Sequence, residues 1–567
     1  MTSQRSILIG LVTVTILLSL VPFFQVALQG EYRGVPPPYV DDDLYYYARM
    51  REVADGKPFL GNPYFLEHAD APPVTFSITD WIAAAPLLVG ASLTTTIIFN
   101  QVFWAIVFVL LAYLIARIVA LSAPGAASIA LFAYLEVYWM VLRPVIMQEV
   151  FPFFLVFIAI FLLWLRNASS GKLSSALAII SAAAFYVYGF LWQIIFCILA
   201  VTFIVRLAQK RWSDVRMLIL SALGTAVLAG PILIYSIQQF SAPAYWEAFA
   251  RIGLVRTHLP AVDTYHYGRW MVVLVLMAYL IRRWFDSPPR EGFLLLGVGL
   301  IITAMSALFT GQDIATGQHV GRFITLVVAL FFPILLGDLW NHRRMAFTST
   351  RWKVGVISVL VISCAVFLGV NLERSLPFLR NSAPKSAALQ GYASPLLWLE
   401  QHESVPRVIF TNDELSLYVP ILTKHSVLWN HAGSLYVMPT REAEDRFLIS
   451  RPMALTRQQI IDSLEAFDGA GIERRYEDMY LKGVVRCWFR IACDAAPTRE
   501  QWFGVANIDR LVARQQELRK DIRGGFKRYN VTYIVVDTRR THDLPADTLK
   551  DYKKVWSNEH FIIYKVI

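Results

Sequence analysis

The sequence has few charged residues and few cysteines for its length. Only 17% of its 567 residues are Asp, Glu, Lys or Arg, whereas 56% are hydrophobic and 14% are aromatic. This composition excludes an ordinary soluble enzyme. Four cysteines are too few for a disulfide scaffold, and their spacing is not that of a zinc site. Cys197 and Cys364 lie in apolar runs, whereas Cys487 and Cys493 lie in the polar last third and could bridge in an oxidising compartment.

Signatures of nucleotide binding and of repeats are also missing. The sequence has neither a P-loop nor a glycine-rich dinucleotide turn, so we expect no nucleotide cofactor. It has no internal repeat and no inverted pair of Gly/Pro-broken helices of the transporter type. The net charge of +10 would suit nucleic acid, but many of the bases sit in short tracts between apolar runs, where they orient membrane helices. We therefore expect membrane lipids, and no nucleic acid, as partners.

Long apolar runs dominate the first two thirds of the chain. A bilayer core takes about 20 apolar helical residues to cross. About eleven runs approach this length, near 6–28, 93–119, 126–142, 145–166, 174–189, 190–206, 217–235, 269–285, 292–310, 321–340 and 354–372. The first run is too long for a cleavable signal peptide and lacks a clear cleavage site. The sequence therefore predicts a mainly α, polytopic transmembrane bundle over residues 1–372.

Basic residues are distributed unequally over the two ends of these runs. With the runs threaded alternately, one set of ends carries fifteen Lys and Arg residues and the other carries nine, and the richer set is expected in the cytoplasm. The amino terminus is then cytoplasmic, the loop at 29–80 is the first outer loop, and residues 373–567 are extracytoplasmic.

The last part of the chain alternates between strand and helix patterns. Short β-rich runs occur at 407–411, 533–537 and 561–566, and an amphipathic helix pattern covers 507–523. Asn412 has the position and chemistry of a helix start. We therefore predict an extracytoplasmic α/β domain at 373–567.

The first outer loop carries three adjacent acids. Asp41, Asp42 and Asp43 directly precede a helix predicted from about Leu44 to Ala54. Carboxylates in this position can cap the helix, bind a hard divalent cation such as Mg or Mn, or accept a proton from a hydroxyl. Three acids exceed what one cap needs, but the residues alone leave these roles open.

The residues around this cluster resemble a known superfamily. The stretch from Asp43 to Arg49, DLYYYAR, is similar to the Asp-Pro-aromatic-Phe-Asn-Tyr-Arg stretch of the catalytic subunit of oligosaccharyltransferase. The Asp42-Asp43 pair resembles the Asp-Glu of protein O-mannosyltransferases and related lipid A sugar transferases. All are GT-C integral-membrane glycosyltransferases, which use lipid-phosphate-linked sugars. The sequence departs from the first pattern at Leu44, Tyr47 and Ala48 and lacks the Trp-Trp-Asp-Tyr-Gly signature, so transfer to asparagine is not implied.

The resemblance implies an inverting enzyme in the plasma or inner membrane. It would move a sugar from a polyprenyl-phosphate donor to a lipid, glycan or protein acceptor on the outer face. A hydroxyl attacks the anomeric carbon while a phosphate leaves, so the site needs a proton acceptor and a cation. By alignment with the motif, Asp43 is the first candidate for the general base and Asp42 the second. The superfamily includes metal-dependent and metal-independent members, so metal dependence stays open.

Candidate groups for the substrate come from two stretches. His319 and Arg322 lie three residues apart at the outer end of a predicted crossing, where an amino-terminal helix end favours a phosphate. Arg322 could instead reach into the lipid headgroups. The first outer loop adds Tyr46, Arg49, Glu67 and His68. For Glu67 and His68, solvation in the loop is the simpler interpretation.

Two other functions remain compatible with the sequence. A non-catalytic protein of the same architecture would keep its carboxylates for structure and assist cell-surface polymer assembly. A lipid or sugar transporter would line its midplane with polar groups on several helices, whereas here the polar clusters gather at one face. Arg143, Gln148 and Glu149 also fall at this face, where a headgroup location explains them.

Overall fold

The computed structural model describes most of the chain. The described residues are 4–28, 32–38, 42–74, 77–119, 121–259, 288–314, 316–341, 358, 362, 369, 387–451, 453–491, 493, 497–540 and 546–566. Asp41, the predicted crossing at 269–285 and nearly all of the crossing at 354–372 therefore lie outside the described residues.

The membrane part is a bundle of apolar helices. They are α1 (Gln4–Leu28), α4 (Leu93–Ile118), α5 (Ala123–Glu136), α6 (Tyr138–Val141), α7 (Ile146–Arg166), α8 (Gly171–Val187), α9 (Leu191–Ala208), α10 (Trp212–Phe240), α12 (Pro288–Ala304), α13 (Ala307–Thr310) and α14 (Thr316–Asn341). Within the described residues, α1, α4, α7, α9 and α10 are long and apolar enough to cross a membrane, and α8, α12 and α14 contain shorter apolar segments. The predicted count of about eleven crossings is not confirmed.

The run at 126–142 is not one continuous helix. The chain leaves the helical conformation at Val137, between α5 and α6, and Pro144 follows soon after. Proline disfavours a helical residue before it and cannot donate to the helix. Val145 then adopts a φ of 66° before α7 begins. The polar residue Arg143 is thereby fixed in a turn at the end of the bundle.

The loops outside the bundle form short elements of their own. In the first outer loop, α2 (Asp42–Ala54) and α3 (Thr79–Leu88) flank a 3-10 turn at Leu66–His68. A later outer segment holds α11 (Tyr245–Ile252) and β1 (Leu254–Val255), which pairs antiparallel with β2 (Asp313–Ile314).

The carboxy-terminal part contains a five-stranded mixed sheet. Its order is β4 (Ser426–Val427), β3 (Val408–Phe410), β5 (Val531–Asp537), β7 (Phe561–Lys565) and β6 (Lys553–Ser557), and β3 runs parallel to β4 and β5. The helices around it are α15 (Ala393–His402), α16 (Asp413–Leu422), α17 (Thr440–Ser450), α18 (Arg457–Asp462), α19 (Leu464–Asp468), α20 (Ala470–Trp488), α21 (Arg499–Phe503), α22 (Val505–Lys520), α23 (Ile522–Arg528) and α24 (Ala546–Leu549). The predicted α/β character of this region is confirmed, and Cys487 and Cys493 are joined in a disulfide.

The first outer loop shares a hydrophobic core with the sheet. Tyr47, Tyr64 and Phe65 of the loop belong to the same buried cluster as Ile409 and Ile534 of the strands. The Val427 amide, on the edge strand β4, donates to the Tyr64 carbonyl at 2.7 Å. The loop is therefore held between the bundle and the carboxy-terminal part, while the division of the chain at residue 372 stays a prediction.

Candidate active site

A cavity of about 280 Å³ lies where the first outer loop, the bundle and the carboxy-terminal part meet. The first outer loop contributes polar and aromatic side chains to its lining, and the turns at the helix ends and the segment near residue 431 contribute the rest. The residues that line it are Asp42, Tyr45, Tyr46, Arg49, Ser77, Thr79, Asp80, Val145, Ile146, Tyr188, Gly189, Phe190, Gln193, Phe249, Ile252, His319, His431, Ala432 and Leu435. The cavity thus brings together Asp42, Tyr46, Arg49 and His319 from the sequence prediction.

Asp42 forms an ion pair at the wall of this cavity. Its Oδ2 accepts a hydrogen bond from Arg143 Nη2 at 2.6 Å. The Asp42 side chain is 69% exposed, whereas the Arg143 side chain is 6% exposed. Burial lowers the pKa of the Arg143 guanidinium, but Asp42 and Asp43 together raise it. The pair therefore consists of an accessible carboxylate beside a buried, permanently charged guanidinium.

Asp43 has a different environment from its neighbour. It is fully buried in the first turn of α2 and does not line the cavity. Its charge interacts with Arg143. Tyr46, one turn further along α2, lines the cavity, and burial followed by the charge of Asp42 raises the pKa of its phenol. Tyr46 therefore stays a hydroxyl donor at ordinary pH.

Arg49 is held by an ion pair that the sequence did not predict. Its Nε and Nη2 donate to Asp80 Oδ1 and Oδ2 at 2.9 and 2.6 Å, and Nη1 donates to the Tyr45 hydroxyl at 2.8 Å. Arg49 is 2% exposed and Asp80 is fully buried. This two-pronged pair ties α2 to the start of α3 beside the cavity.

His319 and Arg322 lie at the amino-terminal end of α14. Nδ1 of His319 is 2.5 Å from the Tyr188 hydroxyl, and its ring stacks on Phe190 with a centroid separation of 4.0 Å. Arg322 is half-buried and does not line the cavity. The charges of Arg322 and Asp42, both predicted site residues, and that of Arg143 act on the Tyr188 phenol.

Two buried guanidinium nitrogens near the candidate site residues have no hydrogen-bond partner among the described residues. They are Nη1 of Arg322 and Nε of Arg143. A buried donor without an acceptor costs about 1–3 kcal/mol. An anion that accepts a hydrogen bond from either nitrogen would remove the cost at that nitrogen.

Glu67 and His68 lie elsewhere in the structure and do not line the cavity. Glu67 accepts from Arg446 Nη2 at 2.6 Å, and His68 Nε2 lies 2.8 Å from Glu442 Oε1. Arg446, itself fully buried, also donates to Glu442 at 2.9 Å. Both residues therefore fasten the first outer loop to α17.

Several site residues carried only a weak signal in the sequence. Arg143 stood out as a charge near the outer face, but its pairing with Asp42 joins positions 101 residues apart. Asp80 and Tyr188 belong to no sequence motif that would have marked them as site residues. Val145, which lines the cavity, holds a left-handed φ of 66° that costs a β-branched residue about 1–3 kcal/mol. Such strain is found at sites where the backbone position serves a function.

Metal ligands are not assembled in the described part of the chain. No group of three or more His, Cys, Asp or Glu side chains stands close enough there to hold an ion. Asp42, the accessible acid of the cluster, already faces the Arg143 cation.

Comparisons with known proteins give similarities in structure only. No protein-family model matches the sequence, and no curated protein matches it either. The archaeal oligosaccharyltransferase AglB from Archaeoglobus fulgidus, in complex with an inhibitory peptide and a dolichol-phosphate, is similar with a TM-score of 0.49 and 11% identity over 94% of this chain and 69% of that one. ArnT from Cupriavidus metallidurans is similar when bound to undecaprenyl phosphate (TM-score 0.47, 10% identity) and in the apo state (0.48, 12%), each covering 98% of both chains. The solved structures to which this chain is similar thus include GT-C glycosyltransferases, the superfamily that its first outer loop resembles.

Proposed function

We propose that the chain is an integral-membrane glycosyltransferase that moves a sugar from a polyprenyl-phosphate donor to a hydroxyl of a lipid, glycan or protein acceptor. The observation that carries the proposal is an accessible carboxylate, Asp42, that lines the cavity and is paired at 2.6 Å with the buried guanidinium of Arg143. A base and a phosphate-binding cation at one place are the two groups that such a transfer needs.

The proposed transfer is a single displacement with inversion. The acceptor oxygen forms a bond to the anomeric carbon, while the bond from that carbon to the phosphate oxygen breaks. The hydroxyl proton passes to the carboxylate, and the bonding electrons leave with the phosphate. Asp42 is our first candidate for the base because its side chain is exposed into the cavity, whereas Asp43 is fully buried. Asp43 remains the second candidate, since it follows directly in the motif.

The departing phosphate would be stabilised by Arg143 and Arg322. Each has a buried nitrogen without a partner among the described residues, and phosphate oxygens accept well from guanidinium groups. Because these donors are already oriented in a buried setting, they need little reorganisation as charge develops. His319 and Tyr188 would complete the polar wall at this end of the cavity.

The remaining predicted residues take supporting parts in this proposal. Tyr46 would donate its hydroxyl to the sugar or phosphate. Arg49 would act mainly by holding α2 against Asp80, and Glu67 and His68 by fastening the loop to α17. An extracytoplasmic location for the site agrees with the Cys487–Cys493 disulfide, because disulfides persist in oxidising compartments.

The test is sugar transfer in membranes that contain Asp42→Asn. Membranes are given a radiolabelled, short-chain polyprenyl-phosphate sugar, and label entering membrane lipid and glycan is followed. Loss of a general base predicts a fall of about 100-fold or more. Asp55→Asn is the matched control, since Asp55 directly follows α2 and pairs with Arg51 on the surface. Transfer by Asp42→Asn at the control rate would overturn the assignment of the base.

A further inference from the structure

A second and larger cavity lies beside the candidate active site. It has a volume of about 890 Å³ and is formed by α11, β1 and α20. The two cavities share α11 as a wall: Phe249 and Ile252 face the first cavity, whereas Trp246 and Ala250 face the second. One helix of eight residues therefore separates the two spaces. We call the larger space the α11–α20 groove.

The groove carries an excess of positive charge. Its lining includes the four cations Arg256, Arg475, Lys482 and Arg486 and the single carboxylate of Asp478. Lys482 pairs with Asp478 at 2.5 Å, so this carboxylate is already occupied. Arg256 and Arg486 are exposed, and neither forms an ion pair with any other described residue. A ligand with negative charge would therefore meet guanidinium groups that are open to it.

Aromatic rings stand among these charges. Trp246 is 51% exposed and Tyr480 is 53% exposed, and both line the groove. Tyr and Trp are enriched at interfaces, because they offer a flat apolar face beside a polar tip. The faces of sugar rings are likewise flat and apolar, with hydroxyls at the rim. Flat rings beside guanidinium groups thus suit a sugar chain that carries carboxylates or phosphates.

We propose that the α11–α20 groove binds an acidic oligosaccharide, the sugar chain of the acceptor. The inference rests on the proposed function, since a sugar chain held in the groove would lie only the width of α11 away from the cavity where its end would react. Trp246 and Tyr480 would stack on sugar rings, while Arg256 and Arg486 would bind the acidic groups. Arg475 holds the wall itself by donating to the Ala250 carbonyl at 3.1 Å.

The test measures binding to the full-length protein purified in detergent. Three fluorescent probes are compared by anisotropy: hexagalacturonate, which is acidic and a sugar, maltohexaose, which is a neutral sugar, and hexaglutamate, which is acidic but not a sugar. We expect hexagalacturonate to bind at least about tenfold more tightly than either of the others, with an affinity that falls as salt rises. Equal binding of hexaglutamate or of maltohexaose would overturn the proposal.

Substitutions locate the binding. Trp246→Ala and Arg256→Gln should each weaken hexagalacturonate binding by about tenfold, whereas Trp212→Ala and Lys520→Gln, which alter exposed residues outside the groove, should change it less than about twofold. Because Arg256 is exposed, its variant should fold even if the Trp246 variant does not. Equal losses in Arg256→Gln and Lys520→Gln would overturn the site.

The groove proposal and the proposed function can fail independently of each other. Asp42→Asn should keep hexagalacturonate binding while it loses transfer, because Asp42 does not line the groove. Loss of transfer in Asp42→Asn together with no probe binding in any form of the protein would reject the groove alone. Probe binding at the groove together with full transfer by Asp42→Asn would reject the catalytic assignment alone.

Discussion

The ion pair between Arg49 and Asp80 should be the main fastening of α2 at the cavity. The two side chains are 3% and 1% exposed and are joined by two hydrogen bonds. Arg49→Met removes the guanidinium but keeps most of the side-chain volume. The Asp80 carboxylate is then left buried, in electrostatic contact with the carboxylate of Glu149, which is also fully buried.

The expected cost follows from the geometry. Two unit charges about 4 Å apart attract by about 4 kcal/mol at an effective dielectric constant of about 20. Breaking a buried pair by removing one partner typically costs about 3–5 kcal/mol. The Tyr45 hydroxyl also loses the hydrogen bond that Arg49 donates at 2.8 Å, which adds about 1 kcal/mol. We expect a loss of about 4 kcal/mol, which is about 3 °C in the apparent melting temperature at an unfolding entropy of about 2.1 cal/mol/K per residue.

Thermal unfolding followed by fluorescence-detected size exclusion in detergent measures this loss. The matched control is Arg51→Met, because Arg51 lies two residues further along α2 and pairs with Asp55 at 3.0 Å on the surface, where such pairs contribute less than about 1 kcal/mol. Asp80→Asn combined with Arg49→Met should restore part of the stability, since no buried charge is then left at Asp80. If Arg49→Met and Arg51→Met have the same apparent melting temperature, the Arg49–Asp80 ion pair does not hold α2 and the reasoning fails.

Two further predictions concern a titrating acid and a tight helix contact. Burial raises the pKa of Glu52 from 4.5 to about 7, although the Gly61 amide and Lys57 oppose the shift. The folded state therefore keeps this proton to higher pH than the unfolded chain, and stability is lost as pH rises from about 4.5 to about 7. Glu52→Gln, which stays neutral, should show a smaller fall in apparent melting temperature between about pH 5 and pH 8 than the unaltered protein, and identical pH profiles would refute this. A methyl group at Gly471 would collide with the Ala250 carbonyl oxygen, so Gly471→Ala should lower the melting temperature and abolish hexagalacturonate binding. A methyl group at Gly483, on the same helix, meets nothing within 4 Å, so Gly483→Ala should have a melting temperature equal to or above that of the unaltered protein. Equal melting temperatures of the Gly471→Ala and Gly483→Ala variants would refute the contact.

Features set by neighbouring residues could be predicted from the sequence. The helix expected after the acid cluster extends from Asp42 to Ala54, and the Asn412 side chain accepts from the Leu415 amide as a helix cap does. The strands expected at 533–537 and 561–566 appear as β5 and β7. These features depend on turn residues, caps and hydrophobic periodicity, which are local.

Pairings over long distances could not be predicted in this way. Hydrophobicity alone marked 126–142 as a crossing, and the break at Val137 depends on how α5, α6 and the turn at Arg143 pack. The same holds for Arg143 with Asp42 and for Glu67 with Arg446, since the partner of a charge is decided by the fold. The difference in burial between Asp42 and Asp43 could not be predicted either. Adjacent residues in the first turn of a helix point in different directions, and the fold decides which direction is buried.

The position of Asp42, the proposed base, depends on both parts of the chain at once. On one side of α2, Asp42 pairs with Arg143 at the end of the bundle. On the other, Leu44 and Tyr47 enter the hydrophobic core that the first outer loop shares with the sheet. A rigid helix cannot keep one of these contacts in place while the other moves by more than a fraction of an ångström. By packing against α2, the carboxy-terminal part therefore helps to fix the position of the Asp42 carboxylate at the cavity.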